Sequence, residues 1–145
     1  MADLPIRDAV SAGGVVWRRA AGGQAEVVLC GRTAGNVWGL PKGTPDAAET
    51  LLDTALREVR EETGLLVEPG EKLGTIAYWF TAGGVRFRKR VHHWLMQPVG
   101  GDVAGHDHEF DDVRWLPLAE AYRRLTYDNE RTILAEAAAR LGEEL

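Results

Sequence analysis

The stretch from Gly43 to Leu65 constrains this chain more than any other. Leu52, Ala55, Leu56, Val59 and Thr63 recur at the spacing of a helix with one apolar face, and Gly64 is placed to end it. On either side the pattern changes to short apolar runs punctuated by glycine. Ala9 to Trp17 and Glu26 to Gly31 read as a hairpin turning at Gly22 and Gly23. After Pro69 and Gly70, Lys72 to Thr81 and Val85 to Gln97 read as a second hairpin, turning at Gly83 and Gly84. A short strand at Val113 to Leu116 stops at Pro117. Two helices follow, Leu118 to Leu125 and Asn129 to Leu141, the second with Ile133, Leu134, Ala137 and Leu141 on one face. Strands interleaved with helices imply an α/β architecture, a mixed sheet between helices. A chain of 145 residues with 45% hydrophobic content is read as one domain, residues 1–145.

Charge and composition narrow the function classes. A net charge of −5 argues against a protein that coats nucleic acid polymers, which need a basic surplus to neutralise phosphates. The basic residues Arg86, Arg88, Lys89 and Arg90 cluster on one strand, which suits a compact anionic ligand. With no apolar run long enough to span a bilayer and no leader-type start, the expectation is a cytoplasmic protein without a membrane partner, monomeric or homodimeric. The lone cysteine, Cys30, lies in the apolar run Val27, Val28, Leu29 and reads as a buried hydrophobe. His106 and His108 lack a framework of matching ligands and read as part of a polar loop.

Glu58, Glu61 and Glu62 stand at i, i+3 and i+4, on one arc of the helix beside the stripe centred on Val59. Carboxylates in a last turn oppose the helix dipole, and Glu58 with Glu62 is a like-charge i, i+4 pair. A solvated acidic face would place them better. Acids held there against local electrostatics, with no histidine or cysteine among them, form a hard oxygen set suited to Mg²⁺ or Mn²⁺. Such an ion leaves coordination positions for phosphate oxygens and water, which points to pyrophosphoryl chemistry.

Gly43, five residues, Glu49, seven residues, Arg57, Glu58, Val59, one residue, Glu61, Glu62, one residue, Gly64 and Leu65 together resemble the complete box of the Nudix hydrolase family. The resemblance implies the Nudix fold, an α/β/α sandwich around a mixed sheet, and hydrolysis of a nucleoside diphosphate linked to another group. Carried over by motif position, Glu61 and Glu62 would hold metal, and the backbone carbonyl of Lys42 can add a ligand. Glu58 would be a further ligand or the general base, with Glu109 as the alternative base. Arg57 would orient Glu58, and Glu49 would brace the loop before the helix.

Beyond the box, three features resemble the branch of the family that hydrolyses diadenosine polyphosphates: Trp38 to Gly43 with Lys42 against a phosphate, Lys89 with Val91 to Leu95, and Glu109 six residues before Trp115. Alternation along Val85 to Gln97 puts Arg86, Arg88, Arg90 and His92 on one face and Phe87, Lys89, Val91, His93 and Leu95 on the other. Lys89, among apolar neighbours, is the preferred phosphate ligand; the arginine face also reads as solvated. His93 is read as a base-stacking or phosphate-donating group, or as an ordinary hydrogen-bonded core histidine. Trp38, Tyr78, Trp79 and Tyr127 are candidates to sandwich a purine, Tyr127 favoured for its place beside the last helix. The expected substrate is a dinucleoside polyphosphate. The alternatives are an oxidised or noncanonical nucleoside triphosphate and, in a different class, a non-catalytic nucleotide-binding module, against which the complete set of box acids counts.

Overall fold

The computed structural model describes residues 3–145. Seven strands and three helices follow the order β1 (Ile6–Arg19), β2 (Ala25–Arg32), β3 (Val37–Gly39), β4 (Lys42–Gly43), α1 (Leu51–Thr63), β5 (Leu65–Ala82), β6 (Val85–Gly101), β7 (Asp112–Pro117), α2 (Leu118–Arg124) and α3 (Asp128–Arg140). The sheet runs β3-β2-β1-β6-β5, with β4 pairing β1 and β7 pairing β2. It is mixed because β1 runs parallel to β6, from Ile6 opposite Arg86 to Val16 opposite Met96, while every other pairing is antiparallel.

The long β1 serves two neighbours in turn. Its first part is taken by β6, so the expected hairpin with β2 shrinks to three residue pairs, Trp17 to Arg19 against Val27 to Ala25. The second hairpin is longer than its pattern predicts. Pro69 and Gly70 do not break it; β5 starts directly after α1 and absorbs them in register shifts between Pro69 and Lys72 and again between Lys72 and Gly74.

Helices cover both faces. On one, Ala55 and Val59 of α1 pack on Ala12, Val16, Val28, Cys30 and Met96. On the other, Leu125 with Ile133, Leu134 and Ala137 of α3 packs on Val15, Val27, Leu29, Ile76 and Val91. Cys30 is fully enclosed, and burial pushes its thiol well above its ordinary pKa. No described helix is long and apolar enough to cross a membrane.

Candidate functional site

The helix α1 ends where its sequence predicts, at Gly64. Thr50 caps the start, its hydroxyl accepting from the Asp53 N–H at 3.1 Å. Gly64 closes the end at φ 77°, donating to the Arg60 carbonyl. A side chain at Gly64 fails twice: the left-handed backbone strains it, and its Cβ would lie 2.4 Å from the Asp102 carbonyl oxygen. That contact belongs to the loop carrying Asp107 and Glu109, pinned to the helix end where the Asp107 N–H donates to the Glu61 carbonyl at 2.9 Å.

Arg57 organises the acids. It makes two bonds to Glu49, at 2.7 and 2.9 Å, two longer ones to Glu61, at 3.3 and 3.5 Å, and one each to Glu58 (2.8 Å) and the Thr44 carbonyl (3.0 Å). These charge-assisted bonds hold the Glu49 carboxyl down to about 2 and raise the guanidinium pKa. Glu49 also accepts from the Asp46 N–H and the Thr54 hydroxyl, so it braces the loop between β4 and α1.

Glu58 and Glu62 converge on β4. Gly43 is needed there because a Cβ would meet the Glu58 carboxyl carbon at 2.0 Å. Glu62, 2% exposed, accepts the Lys42 N–H at 2.9 Å. Burial raises the Glu58 pKa, and pushes Glu62 up to about 8 with help from the charges of Glu109 and Glu58. Glu61 is half-exposed, and its carboxylate shares with Glu58 the same Arg57 guanidinium nitrogen. Among the described residues no three His, Cys, Asp or Glu side chains already form a metal cage. The donors nonetheless fit a hard divalent cation. An enclosed carboxyl group with one N–H partner, close to two other acids, is costly to ionise until a cation joins it.

Across β4 the chain opens a cavity of about 440 Å³ lined by residues that include Arg32, Leu40, Lys42, Tyr78, Phe110, Tyr127 and Glu130. Lys42 belongs to both halves, with its main chain tied to Glu62 and its side chain on the cavity wall. Lys89 pairs with Tyr78 across β5 and β6, on the sheet face that also buries Val91 and Ile76. Burial and the charge of Lys42 lower its pKa. Tyr127, 56% exposed, stands at the start of α3 on the cavity rim. Glu109 forms an ion pair with Arg32 at 3.5 Å, and Arg32 lies over the Phe110 ring.

Three expected ligand contacts lie elsewhere. Trp38 is 4% exposed, its indole N–H donates to Asn36, and Arg114 and Arg124 lie over its ring, so it offers no free face for a base. His93 is completely enclosed and does not line the cavity: it lies on the face of Lys89 and Val91 but further along β6, in the core. It is a core histidine, yet neither ring nitrogen has a hydrogen-bond partner among the described residues, and burial lowers its pKa to about 4. Trp79 points to the opposite face, where Arg86 and Arg88 lie over it. Conversely, Glu130 was not singled out from the sequence although its position is telling: the apolar stripe of Ile133, Leu134 and Ala137, extended back one turn, lands on it. It is 4% exposed, accepts the Leu40 N–H at 3.0 Å, and burial pushes its carboxyl up to about 7.

The NUDIX domain family model matches residues 8–138. A Mycobacterium tuberculosis protein named MutT4 is 45% identical over 109 residues, 75% of this chain and 44% of that protein. The 8-oxo-(d)GTP phosphatase of Mycolicibacterium smegmatis is 37% identical over 132 residues, 86% of this chain and 39% of that one. The chain therefore spans less than half the length of these relatives. Among solved structures, a C. elegans Ap4A hydrolase binary complex superposes with a TM-score of 0.75 at 25% identity, covering 92% of this chain and 98% of that one.

Proposed function

The chain belongs to the NUDIX domain family, and from that premise we propose that it is a divalent-metal-dependent pyrophosphohydrolase of nucleoside polyphosphates, with dinucleoside polyphosphates as the finer class. One observation carries the reading: Lys42 joins the acid cluster to the cavity, binding Glu62 through its main chain and lining the cavity with its side chain. A nucleoside in the cavity would therefore direct its phosphates along Lys42 toward the acids.

Glu58, Glu61 and Glu62, with the Lys42 carbonyl, would hold Mg²⁺ or Mn²⁺. Such an ion, when bound, offsets negative charge on the polyphosphate. Lys42 and Lys89 bind phosphate oxygens, and Tyr78 and Tyr127 hold the base. A water oxygen attacks phosphorus as the anhydride P–O bond breaks. The proton goes to a carboxylate, Glu58 gripped by Arg57 or Glu109 on the facing loop, and the severed phosphate leaves with the electron pair.

A second reading, hydrolysis of oxidised nucleoside triphosphates, draws support from the 37% identical relative named an 8-oxo-(d)GTP phosphatase. A steady-state assay with Mg²⁺, comparing diadenosine and diguanosine tetraphosphates with 8-oxo-dGTP, separates the two. A hundredfold higher kcat/KM on either tetraphosphate supports the first reading, and the reverse, with pyrophosphate released, supports the second. No turnover of any of them with Mg²⁺ or Mn²⁺ would overturn both in favour of a non-catalytic binding module.

A further inference from the structure

Glu130 has no task in the chemistry above, yet among the described residues it is the most enclosed carboxyl group on the cavity wall. Its Oε2 accepts the Leu40 N–H. Its Oε1 has no hydrogen-bond partner among the described residues and keeps access to the cavity beside Gly39, 3.1 Å from where a Cβ on that glycine would sit. The cavity cations Arg32 and Lys42 form no ion pair with it among the described residues: Arg32 pairs with Glu109, and the Lys42 charge acts on Glu130 without a direct contact. Its neighbours on the wall include Val37, Leu40, Ile76 and the rings of Tyr78, Phe110 and Tyr127, which offer flat apolar surface. An acceptor open to such a slot, with no N–H donor from the protein on it among the described residues, can take one from a ligand held there.

We infer that Glu130 is the base-reading residue of this cavity, with Oε1 accepting N–H from the edge of a guanine-type base. The inference rests on the nucleotide reading proposed above. An ionised carboxylate only accepts. Guanine presents N1–H and the 2-amino group side by side, so its edge supplies donors alone. Adenine offers a single donor, its amino group, beside the lone pair of ring N1, so it can meet Oε1 with one N–H only and with a repelling acceptor next to it. The edge with two adjacent donors therefore binds the better of the two. Oxidation of guanine at C8 leaves the N1 and 2-amino edge intact. Glu130 therefore sorts guanine from adenine and does not sort oxidised from ordinary guanine. Base choice at Glu130 is independent of polyphosphate length, so it holds for triphosphates and dinucleoside polyphosphates alike.

The test is binding of GMP, AMP and 1-methylguanosine monophosphate, measured by calorimetry in mildly alkaline buffer, for the wild-type chain and Glu130→Gln. Glutamine keeps an oxygen for the Leu40 N–H and turns an amide NH₂ into the cavity, exchanging acceptor for donor. The wild type should bind GMP at least tenfold more tightly than AMP, about 1.4 kcal/mol. The N1-methyl group should remove that advantage, and Glu130→Gln should erase or invert it while far-UV dichroism and the melting midpoint stay near wild type. If the variant fails to fold, the methylated ligand on the wild type decides by itself. Equal binding of GMP and AMP within twofold by the wild type, or a preference untouched by both the variant and the methyl group, overturns the inference. If monophosphates bind too weakly to measure, the same thresholds apply to kcat/KM for diguanosine against diadenosine tetraphosphate. A chain that hydrolyses both equally loses the Glu130 assignment and keeps the proposed activity; one that binds GMP selectively yet hydrolyses nothing loses the activity and keeps Glu130.

Discussion

Arg57 donates to three carboxylates and a carbonyl at the foot of α1, whereas across β4 the cavity wall carries groups with unmet capacity, the Lys42 ammonium group and Glu130 Oε1, with Lys89 beside the wall residue Tyr78 on the same sheet face. The acid side comes from one contiguous segment whose side chains satisfy one another. The cavity side is assembled from β2, β3, β5, the loop before β7 and the start of α3, and its polar groups wait for a ligand. A closed network loses function when one member is removed. An open wall loses affinity in smaller, separable steps, and the two kinds of loss should show as kcat effects on one side and KM effects on the other.

The sharpest test of that division is Glu62→Gln and Glu61→Gln. Glutamine fills the same space but removes the charge through which each acid would hold a cation. Each variant should lose about a thousandfold or more in kcat, about 4 kcal/mol of transition-state stabilisation, with folding retained. Near-normal turnover by either would remove that residue from the metal set. Glu61 is the sharper test, because its half-exposed carboxylate already shares the Arg57 nitrogen that binds Glu58.

Gly64→Ala probes the join between the acid helix and the loop bearing Glu109. Its φ of 77° and the Asp102 carbonyl 2.4 Å from the added Cβ both oppose a side chain. The left-handed strain and the clash together should cost about 2 to 3 kcal/mol of stability, read as a lower urea midpoint. A variant as stable as the wild type would mean that the loop is not held against α1 as closely as the Asp102 and Asp107 contacts indicate.

The same division explains what the sequence revealed. Glu58 and Gly64 were legible because spacing along one helix is a local property, Gly43 and Arg57 because they stand in the box that this segment resembles, and the mixed sheet followed from strands interleaved with helices. On the cavity side, Lys42, Tyr78 and Tyr127 are candidates from the sequence that line the wall, and alternation along one strand separates Lys89 from Arg88 and Arg90. From the sequence Trp38 reads as a base contact, and His93 stays open between ligand and core, because their residue types suit a ligand while their depth is set by partners distant in the chain. Arg114 and Arg124, about eighty residues along, cover the Trp38 ring. Glu130 was passed over because an acid at the start of a helix reads as a dipole partner. Only the packing of α3 against the Leu40 segment shows it turned inward.

On the cavity side, Lys89→Ala should lower kcat/KM about thirtyfold, mostly through KM, in line with the roughly 2 kcal/mol of a hydrogen bond to a charged group. A loss confined to kcat would place Lys89 in the chemistry and erase the division drawn here. Tyr127→Ala should raise KM about tenfold, within the roughly 1 to 3 kcal/mol of base stacking, and Tyr127→Phe should restore it. Failure of phenylalanine to restore it would assign the hydroxyl rather than the ring.

The smallest expected effect belongs to Arg90, which adjoins Lys89 in the chain but lies on the other side of the sheet. The pleat sends Lys89 toward the face of Tyr78 and Val91, and Arg90 toward the exposed face where Arg88 pairs with Asp8 and, with Arg86, covers Trp79. Arg90→Gln should therefore leave kcat/KM within about twofold, the range of a surface charge screened by solvent. The neighbouring Lys89→Ala should cost about ten times more. A drop for Arg90→Gln matching that of Lys89→Ala would route the polyphosphate over the arginine face and move the ligand out of the cavity. Equal, negligible effects of both would leave Lys42 as the single lysine joining substrate to the acids.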